Sequence, residues 1–163
     1  MVTKQNNHKW LWRTILIALI VLIAGTGFVF YKSMHPYNAL RRDAEKIAVK
    51  SAQVNDFDGF WWNTRDKSYL TLSGKRKNHP VYVVIARKTG KVNVVLQASG
   101  STRNSILRKV WNKYQPKRVL NAGLRLQGKR LVWDVGFIDH SGDLNYASYD
   151  YRSGNLRKLI SDL

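Results

Sequence analysis

One run of the chain limits its fold before anything else is considered. Thr14 to Tyr31, TILIALIVLIAGTGFVFY, contains no charged residue, and no other stretch is apolar for that length. As a helix it extends roughly 27 Å at about 1.5 Å per residue, close to the roughly 30 Å hydrocarbon core of a bilayer. Its leucines, isoleucines, valines and phenylalanines together favour insertion by roughly 5 kcal/mol, before Gly25-Thr26-Gly27 weakens it. Trp10 and Trp12 flank one end and Phe28, Phe30 and Tyr31 the other, as suits two water–lipid interfaces. Arg13 can snorkel to the headgroups. A buried core helix is disfavoured, because no other segment is apolar enough to surround it. A cleaved signal peptide shares the basic leader and the small residues Ala24 to Gly27. Its apolar region is usually shorter, and here large aromatics follow the small residues directly. The run therefore reads as an uncleaved transmembrane anchor, 14–31, behind a cytoplasmic leader, 1–13.

The remaining chain is long enough for one domain or two small lobes. It has no cysteine, which excludes disulfides, Cys-based metal sites and a lipid-modified cysteine anchor. The net charge is +18; three of the 28 basic residues lie in the leader and none of the 10 acidic ones, so the rest retains +15. Such a field attracts anionic partners and raises their encounter rate. Positive residues flank the span on both sides, but long domains cross a membrane largely regardless of charge, whereas short leaders do not. The reading is an N-terminus inside and Lys32 to Leu163 outside.

After a short tether, 32–36, Pro36 suits the first position of a helix. Tyr37, Leu40, Ala44, Ile47, Ala48, Ser51 and Val54 then recur at helical spacing, and the modest, Ala-rich face predicts packing on a sheet. Strands are predicted at 57–63, 68–72, 81–86 and 92–96, with Ser73 to Pro80 as a polar, basic loop. The cycle repeats. Ser101 or Thr102 caps a helix whose face is Ile106, Leu107, Val110, Trp111 and Tyr114, and Pro116 ends it. Strands follow at 119–126, 131–138, 144–151 and 156–160. The closing turns correspond, Ile85-Ala86-Arg87-Lys88-Thr89-Gly90-Lys91-Val92 with Ser148-Tyr149-Asp150-Tyr151-Arg152-Ser153-Gly154-Asn155-Leu156. The fold class is α+β: an N-terminal transmembrane helix, then a duplicated unit of one helix on an antiparallel sheet of about four strands, 37–97 and 98–163. Neither lobe buries much alone, so a shared interface is expected.

The order and spacing of several segments resemble the TseB-like (YpmB-like) family of Gram-positive bacteria. In the first lobe these are Phe60-Trp61-Trp62-Asn63, Tyr69 to Gly74 and Val81 to Val84. In the second they are Lys117 to Leu120, Gly128 to Val135, Gly142 to Tyr146 and Tyr149 to Gly154. The resemblance implies a membrane-anchored protein with two extracellular PepSY-like, cystatin-like lobes. It implies a role in cell-wall elongation, exerted on an elongation-class penicillin-binding protein or another wall-synthesis protein. PepSY-type lobes also imply an alternative, a binder or inhibitor of an extracellular peptidase. The family has no catalytic motif to carry over, and this chain departs from it in being unusually basic.

No enzymatic constellation is present. His8, His35, His79 and His140 lie in the leader, the tether and two turns without ligand spacing. Glycine-loop, Gly-x-Ser-x-Gly and Ser-x-x-Lys motifs are absent. Asp134, Asp139, Asp143 and Asp150 gather in the second lobe, but Asp is ordinary in turns. The expectation is no catalytic residue, no cofactor and no metal. Contact residues are better supported. Trp61 and Trp62, adjacent on a strand, must face opposite sides. Either one points outward as a hot spot, or both are buried at the seam between the lobes. Lys75, Arg76 and Lys77 form the densest basic run, placed either to touch anionic wall polymer or lipid headgroups or merely to be solvated. Nucleic acid is not an expected partner.

Overall fold

The computed structural model describes residues 7–65, 67–161 and 163. The first six leader residues lie outside them. The chain divides into two compact units, Met1–Arg42 and Asp43–Leu163. Helix α1 (Asn7–Ala52) begins in the first unit and ends in the second. Within it, Trp10–Val29 is long and apolar enough to cross a membrane, with mean hydropathy 2.0 and none of it buried. Its two threonines satisfy their hydroxyls internally: Thr14 donates to the Leu11 carbonyl and Thr26 to the Leu22 carbonyl, both at 2.8 Å. Such back-bonding lets a hydroxyl enter hydrocarbon without an unpaired donor. Residues 32–36, read above as a tether, are helical, and Pro36 lies inside α1 rather than at its first turn. Proline forfeits one backbone bond there, and helical turns stand on both sides of it.

In the second unit α1 ends where Gln53 turns left-handed, at φ 54°. The Val54 N–H then reaches the Ala48 carbonyl and the Gln53 N–H the Val49 carbonyl, a Schellman-type stop without glycine. Ala44, Ala48, Ala52 and Val54 are buried, while Ser51, expected on the same face, is exposed.

Two four-stranded antiparallel meanders follow. The first holds β1 (Asn55–Asn63), β2 (Tyr69–Arg76), β3 (His79–Ala86) and β4 (Val92–Leu96) in that order. A short 3-10 turn and helix α2 (Arg103–Tyr114) lead to β5 (Arg118–Gln127), β6 (Arg130–Ile138), β7 (Leu144–Asp150) and β8 (Leu156–Ile160), again in sequence order. The Thr102 hydroxyl caps α2 by accepting from the Ser105 N–H at 3.2 Å. Gln115, left-handed at φ 45°, and then Pro116 end it. The duplication extends to single hydrogen bonds. Gly90 N–H donates to Ala86 O and Gly154 N–H to Asp150 O, both at 2.8 Å, with φ of 66° and 65°. Ala86 N–H donates to Lys91 O and Asp150 N–H to Asn155 O, both at 2.9 Å.

The register divides the first sheet into two faces. Phe60, Leu70, Leu72, Val81, Val83 and Ile85 share one, all buried, where the small residues of α1 match them. Trp61, Tyr69, Thr71, Tyr82 and Val84 share the other, which meets the second lobe. One apolar cluster joins Tyr69, Tyr82 and Val84 to Ile106, Val110, Leu124, Trp133 and Tyr149. The lobes therefore share a core, as their small size demands. Trp133 is fully buried, its indole N–H donating to the Ser101 carbonyl at 2.8 Å and its ring edge-on to Tyr82 at 5.2 Å. Of the expected α2 face, Ile106 and Val110 are buried and Leu107 and Tyr114 partly so. Trp111, one position from Val110, points away and is 46% exposed.

Candidate binding surface

The two tryptophans occupy opposite faces of β1, Trp61 beside Thr71 and Trp62 beside Leu70. Both are half-buried, and an arginine lies over each ring. Trp61 packs against the shared core with the Arg103 guanidinium 5.0 Å from its ring centroid. A Cβ on Gly123 of β5 would stand 3.5 Å from the Trp61 Cβ, so the two strands approach closely here. Trp62 donates its indole N–H to Ser68 Oγ at 2.8 Å, and Arg87 lies 5.5 Å over its ring. The Trp62 carbonyl accepts from the Asn121 side chain at 2.9 Å, a second tie between the lobes. Burial lowers the Arg103 pKa and raises that of the Tyr82 hydroxyl, which accepts from the Arg103 N–H at 3.3 Å.

A charged knot lies deeper in the seam. Asp134 of β6, 3% exposed, accepts from Arg65 at 3.1 Å, from Asn63 at 3.4 Å, from Ser148 and, closely, from Arg125 Nε. Arg65 and Asn63 belong to the first lobe, while Arg125 and Ser148 belong to the second. Arg65 also donates to Ser148 at 2.8 Å and lies 5.3 Å over the Tyr146 ring. Asp134, met in the sequence as one of four gathered carboxylates, is thus a lobe-bridging anchor. Asp139 and Asp150 hold turns. Asp139 accepts from the Asn145 side chain and the Asp143 and Gly142 N–H groups. The Asn145 bond, followed by the backbone donors, holds its carboxyl below the usual carboxylate range. Asp150 accepts from the Ser153 and Arg152 N–H groups, and the Ser153 donor is the main cause of its lowered pKa. Among the described residues no group of three or more His, Cys, Asp or Glu is placed to hold a metal ion.

Lys75, Arg76 and Lys77 do not lie in a loop. β2 runs to Arg76 and β3 starts at His79, leaving only Lys77-Asn78 as a two-residue hairpin turn. Both turn residues have positive φ, 47° and 67°, the geometry that matches strand twist in a tight hairpin. Pro80 disguised the strand, yet it fits: β4 pairs β3 only from Val81 on, so no ladder bond is lost on that side. The three cations are exposed at the hairpin tip, Lys75 3.8 Å from Asp56. Beside them Arg76, Lys77, His79, Val81, Val94 and Leu96 line a shallow cleft of about 240 Å³. The structure does not group this basic tip with the tryptophans. A larger cleft, about 420 Å³, separates β4 from the β5–β6 and β7–β8 turns and is edged by Lys129, Arg130 and Arg152. Sequence reading missed it, because its walls come from segments far apart in the chain. It also missed Trp111 as an exposed tryptophan, for which the one signal was its position beside, rather than in line with, Ile106 and Val110.

The described fold is that of a two-lobed α+β protein with a candidate membrane span. Residues 43–86, the end of α1 and the first three strands, match the family model described as the cell wall elongation regulator TseB-like domain. The solved structure of a YpmB protein from Bacillus subtilis superimposes on 74% of this chain and 95% of its own, with a TM-score of 0.60 at 18% identity. That likeness concerns the fold. No curated protein matches the sequence significantly. The family model is of the family that the sequence motifs resemble. Residues 43–86 are thus similar to a domain described as a cell wall elongation regulator, and the fold of both lobes is similar to that of the YpmB structure.

Proposed function

We propose that this protein is a single-pass membrane protein whose two lobes lie outside the cell and assist or regulate cell-wall elongation. On this reading it works without catalysis, by docking on a wall-synthesis protein, foremost an elongation-class penicillin-binding protein. The observation that carries the reading is the match of 43–86 to a wall-elongation regulator domain, in a chain whose Trp10–Val29 can span a membrane. In the sequence, residues 30–42 lie between that span and the unit Asp43–Leu163. Exposed Trp111, with half-buried Trp61 at the seam and half-buried Trp62 on the opposite face of β1, supplies aromatic contact area of the kind that dominates interface energetics. Lys75, Arg76 and Lys77 add a cationic contact for anionic wall polymer or headgroups, each charge contributing about 1 kcal/mol at most.

Photo-crosslinking in intact cells, with the full chain and probes at Trp111 and Lys77, tests the reading. Capture of a wall-synthesis protein supports it. Capture of peptidases alone would transfer the assignment to the peptidase-binding alternative. Binding to the wall fraction should weaken as salt is raised, and binding unchanged at high salt would exclude charge as the recruiting force.

A further inference from the structure

The free edge of β4 has features that wall elongation does not account for. β4 ends the strand order of the first sheet, so among the described residues one of its sides has no strand neighbour. Antiparallel pairing alternates between hydrogen-bonded and non-hydrogen-bonded pairs. The Ala86 N–H donates to the Lys91 carbonyl, which sets the phase. Asn93, opposite Val84, and Val95, opposite Tyr82, therefore turn their backbone groups to β3. The N–H and C=O groups of Val92 and Val94 point out along the open edge. Beyond them the edge is closed, because the Leu96 carbonyl accepts from the Tyr151 hydroxyl.

A row of open backbone groups is a template for one more strand, which would lie about 4.8 Å away with side chains alternating between the faces. Here each face has a groove to receive them, and Val94 lines both. On the face of Asn93 and Val95 lies the larger cleft, edged by Lys129, Arg130 and Arg152. On the face of Val94 and Leu96 lies the smaller one, edged by Arg76, Lys77 and His79. Among the described residues the one acid lining either groove, Asp150, already accepts from the Arg152 and Ser153 N–H groups and pairs with Arg157 at 3.5 Å. The Asn93 amide nitrogen is buried without a hydrogen-bond partner in the first groove, a donor awaiting an acceptor.

We infer that the edge of β4 binds an extended, acidic peptide segment of a partner protein by strand addition, its acidic side chains falling alternately into the two cationic grooves. The backbone row selects a peptide over a polyphosphate or glycan, which carries no matching N–H and C=O ladder. Charge argues against a second copy of this chain, since two such edges would bring like-charged grooves together. The inference goes beyond the wall-elongation reading and does not depend on it, because it concerns what the edge recognises rather than which protein carries the segment.

The test uses the full chain in detergent micelles and a fluorescent acetyl-(Glu-Glu-Val-Val)2-amide probe, which places glutamates on both faces of a strand, followed by anisotropy and by hydrogen exchange. The expected result is saturable binding, with slowed exchange at Val92 and Val94. N-methylation of every second peptide residue, in one of the two registers, should weaken binding by at least roughly tenfold, the effect of losing one or two backbone bonds. Val94→Pro removes an outward N–H without touching the β3 ladder and should do the same. Lys129→Glu with Arg130→Glu, exposed changes that leave the backbone intact, should weaken the acidic probe and favour a Lys-Val counterpart. The inference is overturned by no binding up to roughly 1 mM, by equal binding of the N-methylated or Lys-Val peptides, or by full competition from polyphosphate of equal charge. Sedimentation showing the chain self-associated through β4 would overturn it equally.

Discussion

Removing the carboxylate of Asp134 should do more damage than any other single surface-to-seam change. Asp134→Ala leaves Arg125 and Arg65, whose side chains are 5% and 12% exposed, in the seam without the acid that gathers them. Breaking a buried ion pair by deleting one partner typically costs about 3–5 kcal/mol, because the remaining charge stays desolvated. An exposed pair costs at most about 1 kcal/mol. In a domain of this size the larger figure corresponds to a fall of on the order of 10–20 °C in Tm. Asp134→Asn keeps an acceptor for Ser148 and should fall between wild type and Asp134→Ala. The assay is thermal unfolding of the full chain in detergent, with hydrogen exchange read separately over each lobe. Because Arg65 comes from the other lobe, Arg65→Ala and Asp134→Ala should not add, and the double variant should recover roughly 1–3 kcal/mol relative to the sum. A loss below about 1 kcal/mol for Asp134→Ala, or strict additivity with Arg65→Ala, would refute the claim that this knot holds the lobes together.

Other outcomes follow from the same geometry. Trp61→Ala should cost roughly 2–3 kcal/mol and Trp62→Ala roughly 1–2, less than a fully buried tryptophan, because only Trp61 packs on the shared core; equal losses in denaturant titration would contradict the difference between their faces. A Cβ at Gly100 would stand 2.5 Å from the Tyr151 carbonyl, so Gly100→Ala should cost about 1–3 kcal/mol by pushing the β7–β8 turn away. Gly128→Ala faces open space and should cost only the backbone strain of φ 63°, about 1–2 kcal/mol. With pH, Asp139 and Asp150 have folded pKa values below their unfolded ones, so the stability they contribute is complete above about pH 4 and lost as pH falls through the folded values. NMR shifts of the turn amides Gly142 and Ser153 should therefore titrate below the ordinary aspartate midpoint. Burial raises the Tyr82, Tyr149 and Tyr151 hydroxyls, so their contribution is complete below about pH 10 and lost as pH rises through the folded values. Phenolate absorbance should show these three ionising after the other tyrosines.

Much of the architecture was legible in the chain because local chemistry encodes it. The membrane-compatible span follows from hydropathy alone, and α2 follows from the Thr102 cap and Pro116 stop. The duplicated sheet follows from two sets of alternating strands with matching Gly90 and Gly154 turns. Where local signals conflict, the reading slipped. Lys75, Arg76, Lys77 and Pro80 resemble a loop by composition, but the hairpin register carries both strands to a two-residue turn. Ser73 reads as the start of that loop, yet it is buried, because its pairing with Tyr82 places it on the seam face.

What the sequence determined by itself is therefore the set of elements and their order, since hydrophobic period, caps and turn residues act over a few positions. What only the tertiary structure decided is which of their faces meet. The Arg65–Asp134–Arg125 knot joins residues of both lobes, the Lys129–Arg130–Arg152 cleft faces β4 across the seam, and of the lobes' four tryptophans it is Trp111, rather than Trp61 or Trp62, that is exposed. These juxtapositions depend on the close approach of two sheets and on the free energy of burying charge in pairs. Neither leaves a periodic mark in the chain, because the partners are set by packing rather than by their neighbours in sequence.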